Sequence, residues 1–121
     1  MYINNSLVVG DDNFNRLIQG VKDAGIYAAL AFAELNDNRL FMSQMLVSPL
    51  GDILIHRDNL RPSGSERWFF SDGTIDDLRV VTTGGKLGRV GLLECAESVT
   101  NIFLIATRTP ANTFVGISTK A

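Results

Sequence analysis

Apolar and polar positions follow different rhythms along the first half of the chain, and each rhythm predicts a different element. Leu7-Val8-Val9 is a short apolar run that ends at Gly10, which reads as a brief strand. Phe14, Leu17, Ile18 and Val21 then recur at helical spacing and make one apolar stripe. Asp11 or Asp12 suits the N-terminus of that helix, where a side-chain oxygen satisfies free backbone N–H groups. Gly25 suits its C-terminus, where a left-handed backbone is often needed. The run 26–32 is almost continuously apolar and of strand length, which predicts a strand buried on both faces and ended by Glu34. Asn36-Asp37-Asn38 has turn chemistry. Residues 40–47 return antiparallel, 49–52 turn again, and Ile53-Leu54-Ile55 forms a third strand.

The second half opens differently. Residues 57–73 are polar and punctuated by Pro62, Gly64 and Gly73, so they read as a long loop, and a loop of this length in a small domain tends to be functional or disordered. Trp68-Phe69-Phe70 are placed to pin it to the core. A strand follows near 78–82, then a turn at Gly84-Gly85, then an apolar strand that runs up to Cys95. Two further apolar strands fall at 102–106 and 113–117, joined by a segment containing Pro110. The order strand, helix, strand, hairpin defines an α/β layer with helix against sheet, and by itself identifies no function.

Composition narrows the function classes. A chain of 121 residues with 45% hydrophobic residues suits one domain with one core. Charges of both signs are interleaved to a net −2, which gives no electrostatic footing for nucleic acid or an anionic membrane. No apolar run approaches the roughly 18 residues that suggest a membrane span. Nothing at the N-terminus resembles a signal peptide. Asn4-Asn5-Ser6 matches a glycosylation sequon, but without a secretory signal it is read as coincidence. A single cysteine precludes an internal disulfide and points to a reducing compartment, so the chain is expected to be soluble and cytoplasmic.

That cysteine is a candidate nucleophile. In Gly91-Leu92-Leu93-Glu94-Cys95-Ala96-Glu97, a hydrophobic strand delivers a thiol to its end, with a carboxylate two residues on. A rigid strand end is a sound place for a nucleophile. A lone cysteine there is also a common small core residue. The one imidazole, His56, lies 39 positions upstream, so no base is adjacent in sequence.

Several separated motifs, in order, resemble the nitrilase superfamily of carbon–nitrogen hydrolases, in the nitrilase and cyanide hydratase branch. They are Glu34 followed by Leu40-Phe41 and Gln44; Pro49 with Gly51-Asp52; Asn59-Leu60-Arg61-Pro62-Ser63 with Glu66-Arg67; Asp72-Gly73; and Gly88-Arg89-Val90-Gly91 with Leu93, Cys95 and Glu97. The resemblance implies a partial nitrilase-like α-β-β-α sandwich over residues 1–97, with 98–121 an unmatched strand-rich tail. It implies a cysteine that attacks a nitrile or amide carbon to form a thioimidate or acyl intermediate, later resolved by water. By this resemblance Cys95 is the nucleophile and Glu34 the second glutamate of the catalytic set. No cofactor or metal is implied. The implied partners are a small nitrile or amide, further copies of the chain, or a full-length homologue.

The chain departs from that pattern at four points. Asn59 stands where the lysine is expected. The general-base glutamate belongs to a segment that would precede Met1. Ala96 replaces a tryptophan, and Glu94 puts a carboxylate where the strand is usually apolar. The expectation is a shortened relative with impaired turnover and uncovered apolar sheet edges. Two non-catalytic readings stand beside it: an interaction subunit, and a small scaffold or sensor domain.

Overall fold

The structure, a computed structural model, describes residues 3–94 and 97, and the strand 113–117; of Lys86 only the backbone is described. The helix α1 spans Asp12–Ala24. Its N-cap is Asp11, whose carboxylate accepts the Phe14 N–H at 2.7 Å. Gly25 closes it at φ 64°, with its N–H reaching the Lys22 and Val21 carbonyls. This left-handed cap is why glycine stands there.

Three antiparallel strands follow: β1 (Ala28–Asn36), β2 (Arg39–Val47) and β3 (Ile53–Asp58), in the order β1-β2-β3. The β1–β2 turn holds Asp37 and Asn38 at φ 49° and 60°. Two consecutive positive φ values fit the twist of a two-residue hairpin, and Asp and Asn tolerate them best among non-glycine residues. The strand β1 continues past Glu34 to Asn36, beyond the expected end. Leu7 is less than a strand: it makes one parallel bridge beside Glu34, with hydrogen bonds to Ala33 and Leu35.

A second sheet contains β4 (Val80–Thr82), β5 (Arg89–Glu94) and β6 (Thr113–Ile117), in that order. The pairing of β4 with β5 is antiparallel and that of β5 with β6 is parallel. The expected strand at 102–106 lies outside the described residues.

Side chains alternate across the first sheet, so each of its faces builds a separate core. Met45 and Val47, with Leu30 and Phe32, receive Phe14, Ile18 and Val21 of α1. Leu46 and Ile55 point the other way and meet Val90 and Leu92 of the second sheet. The result is helix on sheet on sheet, a partial α/β sandwich.

The polar segment after β3 is more ordered than a plain loop. A 3-10 helix, Gly64–Trp68, is capped by Ser63 and Glu66. Trp68 is 83% exposed, so it does not pin the segment, contrary to the expectation, and Phe69 is 55% exposed. Phe70 instead bridges to Leu40, and the Ser71 N–H donates to the Leu40 carbonyl. Arg57, at the expected start of the loop, is a buried residue of β3.

Candidate functional site

The end of β5, which leads to Cys95, is held by a buried polar cluster between the two sheets. Gln44 and Arg57 are cross-strand partners on the face toward the second sheet, and both are buried. Arg57 Nη1 donates to Gln44 Oε1 at 2.8 Å, and Nη2 donates to Glu97 Oε1 at 2.6 Å and to the Asp58 carbonyl at 3.0 Å. Gln44 Nε2 donates in turn to the Leu93 carbonyl at 3.1 Å. The Glu97 carboxylate also accepts the Leu60 N–H at 2.7 Å and the Glu94 N–H at 2.8 Å. One carboxylate therefore joins β3, the segment after it and β5. A charged pair this deep is stable only when its remaining hydrogen-bonding capacity is used, as it largely is here.

Glu94 is the exception. It is 1% exposed, and among the described residues its Oε2 has no hydrogen-bond partner; neither has Arg57 Nε. Glu97 already engages the guanidinium directly, so among the described residues the cluster holds two carboxylates for one cation. Burial pushes the Glu94 carboxyl up to about 7, against the pull of Arg57 and with help from the charge of Glu97.

Asn59 is also buried, and it opens the segment beyond β3. Its N–H donates to the Met42 carbonyl, and its Oδ1 accepts the Arg61 N–H at 3.1 Å. That Asx turn needs a side-chain acceptor, which a lysine lacks. Gly73 folds back onto the same place, donating to the Asn59 carbonyl; a Cβ there would sit 2.6 Å from the Asp58 carbonyl oxygen.

Glu34 belongs to the other face. It is 2% exposed, and its Oε2 lies 2.7 Å from His56 Nε2. The two residues are two strands apart, a backbone separation of roughly 10 Å. They meet over Ser43 of β2, whose hydroxyl donates to Asp58 Oδ1. Burial pushes the Glu34 carboxyl up, but hydrogen bonds from His56 and Ser43 outweigh it and hold the group below the usual carboxylate range. The Glu34 hydrogen bond raises His56 in return. The structure thus brings Asn59 and Glu97 to the region after β3 and sets Glu34 on the side that α1 packs against. Cys95 lies outside the described residues.

Arg57 and Gln44 carry this arrangement, and sequence reasoning assigned neither a role. The available signal was the Cys-x-Glu spacing of Cys95 and Glu97, since a carboxylate just past a buried strand end calls for a buried cation.

Comparison with solved structures gives the same fold. An amidase from Nesterenkonia sp. matches with a TM-score of 0.76 over 88% of this chain and 41% of its own, at 19% identity. A variant of the amidase from Nesterenkonia AN1, of the nitrilase superfamily, matches with a TM-score of 0.75 over 86% of this chain and 40% of its own, at 18% identity. The partial sandwich is the fold of these amidases, and sequence similarity to cyanide hydratases supports a relationship to the nitrilase-type carbon–nitrogen hydrolases. By sequence it is similar to cyanide hydratases. That of Neurospora crassa is 36% identical over 103 residues, which is 85% of this chain and 29% of the relative. That of Stereum hirsutum is 39% identical over 104 residues, 85% of this chain and 27% of the relative. That of Leptosphaeria maculans is 34% identical over 117 residues, 97% of this chain and 32% of the relative. The chain spans about three-tenths of the length of these relatives. It matches no protein-family model. Among the described residues no helix is long and apolar enough to cross a membrane.

Proposed function

We propose that the chain carries part of the reaction centre of a nitrilase-type carbon–nitrogen hydrolase, with Cys95 as nucleophile and a small nitrile or amide as substrate. The observation that supports this most is the three-way anchoring by Glu97, which fixes the end of β5 against β3 immediately beside Cys95 in sequence. A nucleophile on so constrained a strand end loses little freedom when it attacks. The thiolate adds to a nitrile carbon, whose nitrogen takes up a proton to give a thioimidate, or to an amide carbon with loss of ammonia to give a thioester; water then adds at that carbon and the thiolate leaves. In one of the amidase structures, an acetamide group is covalently attached to the active-site cysteine.

Turnover in this chain is slow on this reading. Asn59 is a neutral amide tied into its own turn, where a charged donor would stabilise the developing charge; loss of such a donor costs on the order of 10²–10³ in rate. The Glu34 carboxylate is held by His56 on the helix-facing side. Incubation with cyanide, simple nitriles and amides, read by product release and by intact mass, tests the proposal. Adduct formation that is lost in Cys95→Ala is the expected result. Adducts or turnover that persist in that variant would refute it.

A second reading is favoured by the exposed Trp68 and Phe69: association with another copy or with a full-length homologue through that segment. Sedimentation with and without a cyanide hydratase, repeated for Trp68→Ala, distinguishes it.

A further inference from the structure

Behind the first sheet, on the face away from Arg57 and Glu97, stands a group of donors that the proposed reaction does not use. Glu34, His56 and Asp58 each offer one ligand atom, and these atoms all lie within 4.8 Å of one another. They reach each other because β2 contributes only the short Ser43 between them, and the Ser43 hydroxyl holds Asp58 from the side. Donors at about 2.0–2.2 Å from a tetrahedral ion stand roughly 3.4 Å apart. The Glu34–His56 pair stands at 2.7 Å and no pair exceeds 4.8 Å, so the set lies close to this spacing.

Charge points the same way independently of spacing. The ionised groups that act on this site are Glu34 and Asp58 themselves, with Asp77 of the 3-10 helix Ile75–Asp77 packed beside β3. Against these carboxylates stands one imidazole, and among the described residues no lysine or arginine is a named charge on Glu34, His56 or Asp58. Glu34 is 2% exposed, so its charge is poorly served by solvent. A dication bound to two carboxylates and a neutral imidazole leaves the three-ligand set without net charge. The His56 side chain is 36% exposed, which gives an ion a path in and leaves coordination positions open to water.

We propose that Glu34, His56 and Asp58 form a binding site for a divalent transition-metal ion of the zinc class, which braces β1 to β3 across β2. One imidazole with two carboxylates suits such an ion better than magnesium, which favours all-oxygen shells and keeps its waters. Ser43 is the outer partner that orients the Asp58 ligand.

Zinc(II) titrated calorimetrically into the chelator-treated full chain tests the site. A Cys95→Ser background removes the thiol as a competing ligand. One ion per chain is expected, with a higher melting temperature in its presence. Asp58→Asn, which keeps shape, and His56→Ala should each weaken binding by tenfold or more. Cobalt(II) in the same protein should give visible bands that both variants lose. No binding at millimolar zinc, or binding that neither variant weakens, would overturn the proposal. Asp58→Asn keeps the test decisive if His56→Ala fails to fold.

Discussion

Glu94→Gln should make the protein more stable at alkaline pH while leaving it nearly unchanged in acid. The perturbation is small in shape, since glutamine is close to isosteric with the neutral carboxylic acid. Its effect on charge is large. In the folded chain the Glu94 carboxyl is pushed from 4.5 up to about 7 by burial. The folded state therefore holds this proton more tightly than the unfolded chain does, and folding stability falls as pH rises between those two values. At about 1.4 kcal/mol for each pKa unit, the displacement amounts to about 3 kcal/mol once the pH is above 7. Glutamine cannot ionise and escapes that cost. Urea denaturation of both proteins between pH 4 and 8.5 reads the difference directly. The curves should lie close together near pH 4 and diverge by up to about 3 kcal/mol at pH 8. A difference that stays constant across the range would refute the argument, because a purely steric or hydrogen-bonding effect has no reason to follow pH.

Three further outcomes follow from neighbouring residues. Arg57→Ala leaves Glu97 buried without its cation and should cost about 3–5 kcal/mol, measured by the same denaturation. Gly73→Ala brings a Cβ onto the Asp58 carbonyl and should lower stability by roughly 1–3 kcal/mol; an unchanged melting temperature would mean the close approach relaxes freely. Asp11→Ala removes the helix cap at Phe14 and should cost about 1 kcal/mol, with Asp11→Ser recovering most of it.

The elements legible in the sequence were those whose signals are local. The α1 stripe, its Asp11 and Gly25 caps, the Asp37-Asn38 turn and the strand at 113–117 all carry their cause within a few residues. What stayed hidden depends on distant partners. The nearly continuous apolar run of β1 masked the alternation that turns Glu34 toward α1 and His56, which is 22 positions away. Arg57 read as the start of a loop because a buried arginine makes sense only with Glu97, 40 positions on. The family resemblance located Cys95, Asn59 and Glu97 along the chain, but which face of the sheet each serves is a matter of register, and a sequence shows register only through its buried positions.

The Glu97 carboxylate also has a consequence for motion. It accepts the Leu60 and Glu94 amide protons at once and grips Arg57 with the same oxygen that takes Leu60. Opening the segment beyond β3 gives up a hydrogen bond to the same carboxylate that holds the end of β5 through its other oxygen. These two amides, 34 positions apart, should therefore exchange with solvent deuterium as one cooperative unit, at a common opening free energy. The segment beyond β3 and the end of β5 beside Cys95 would open together or not at all.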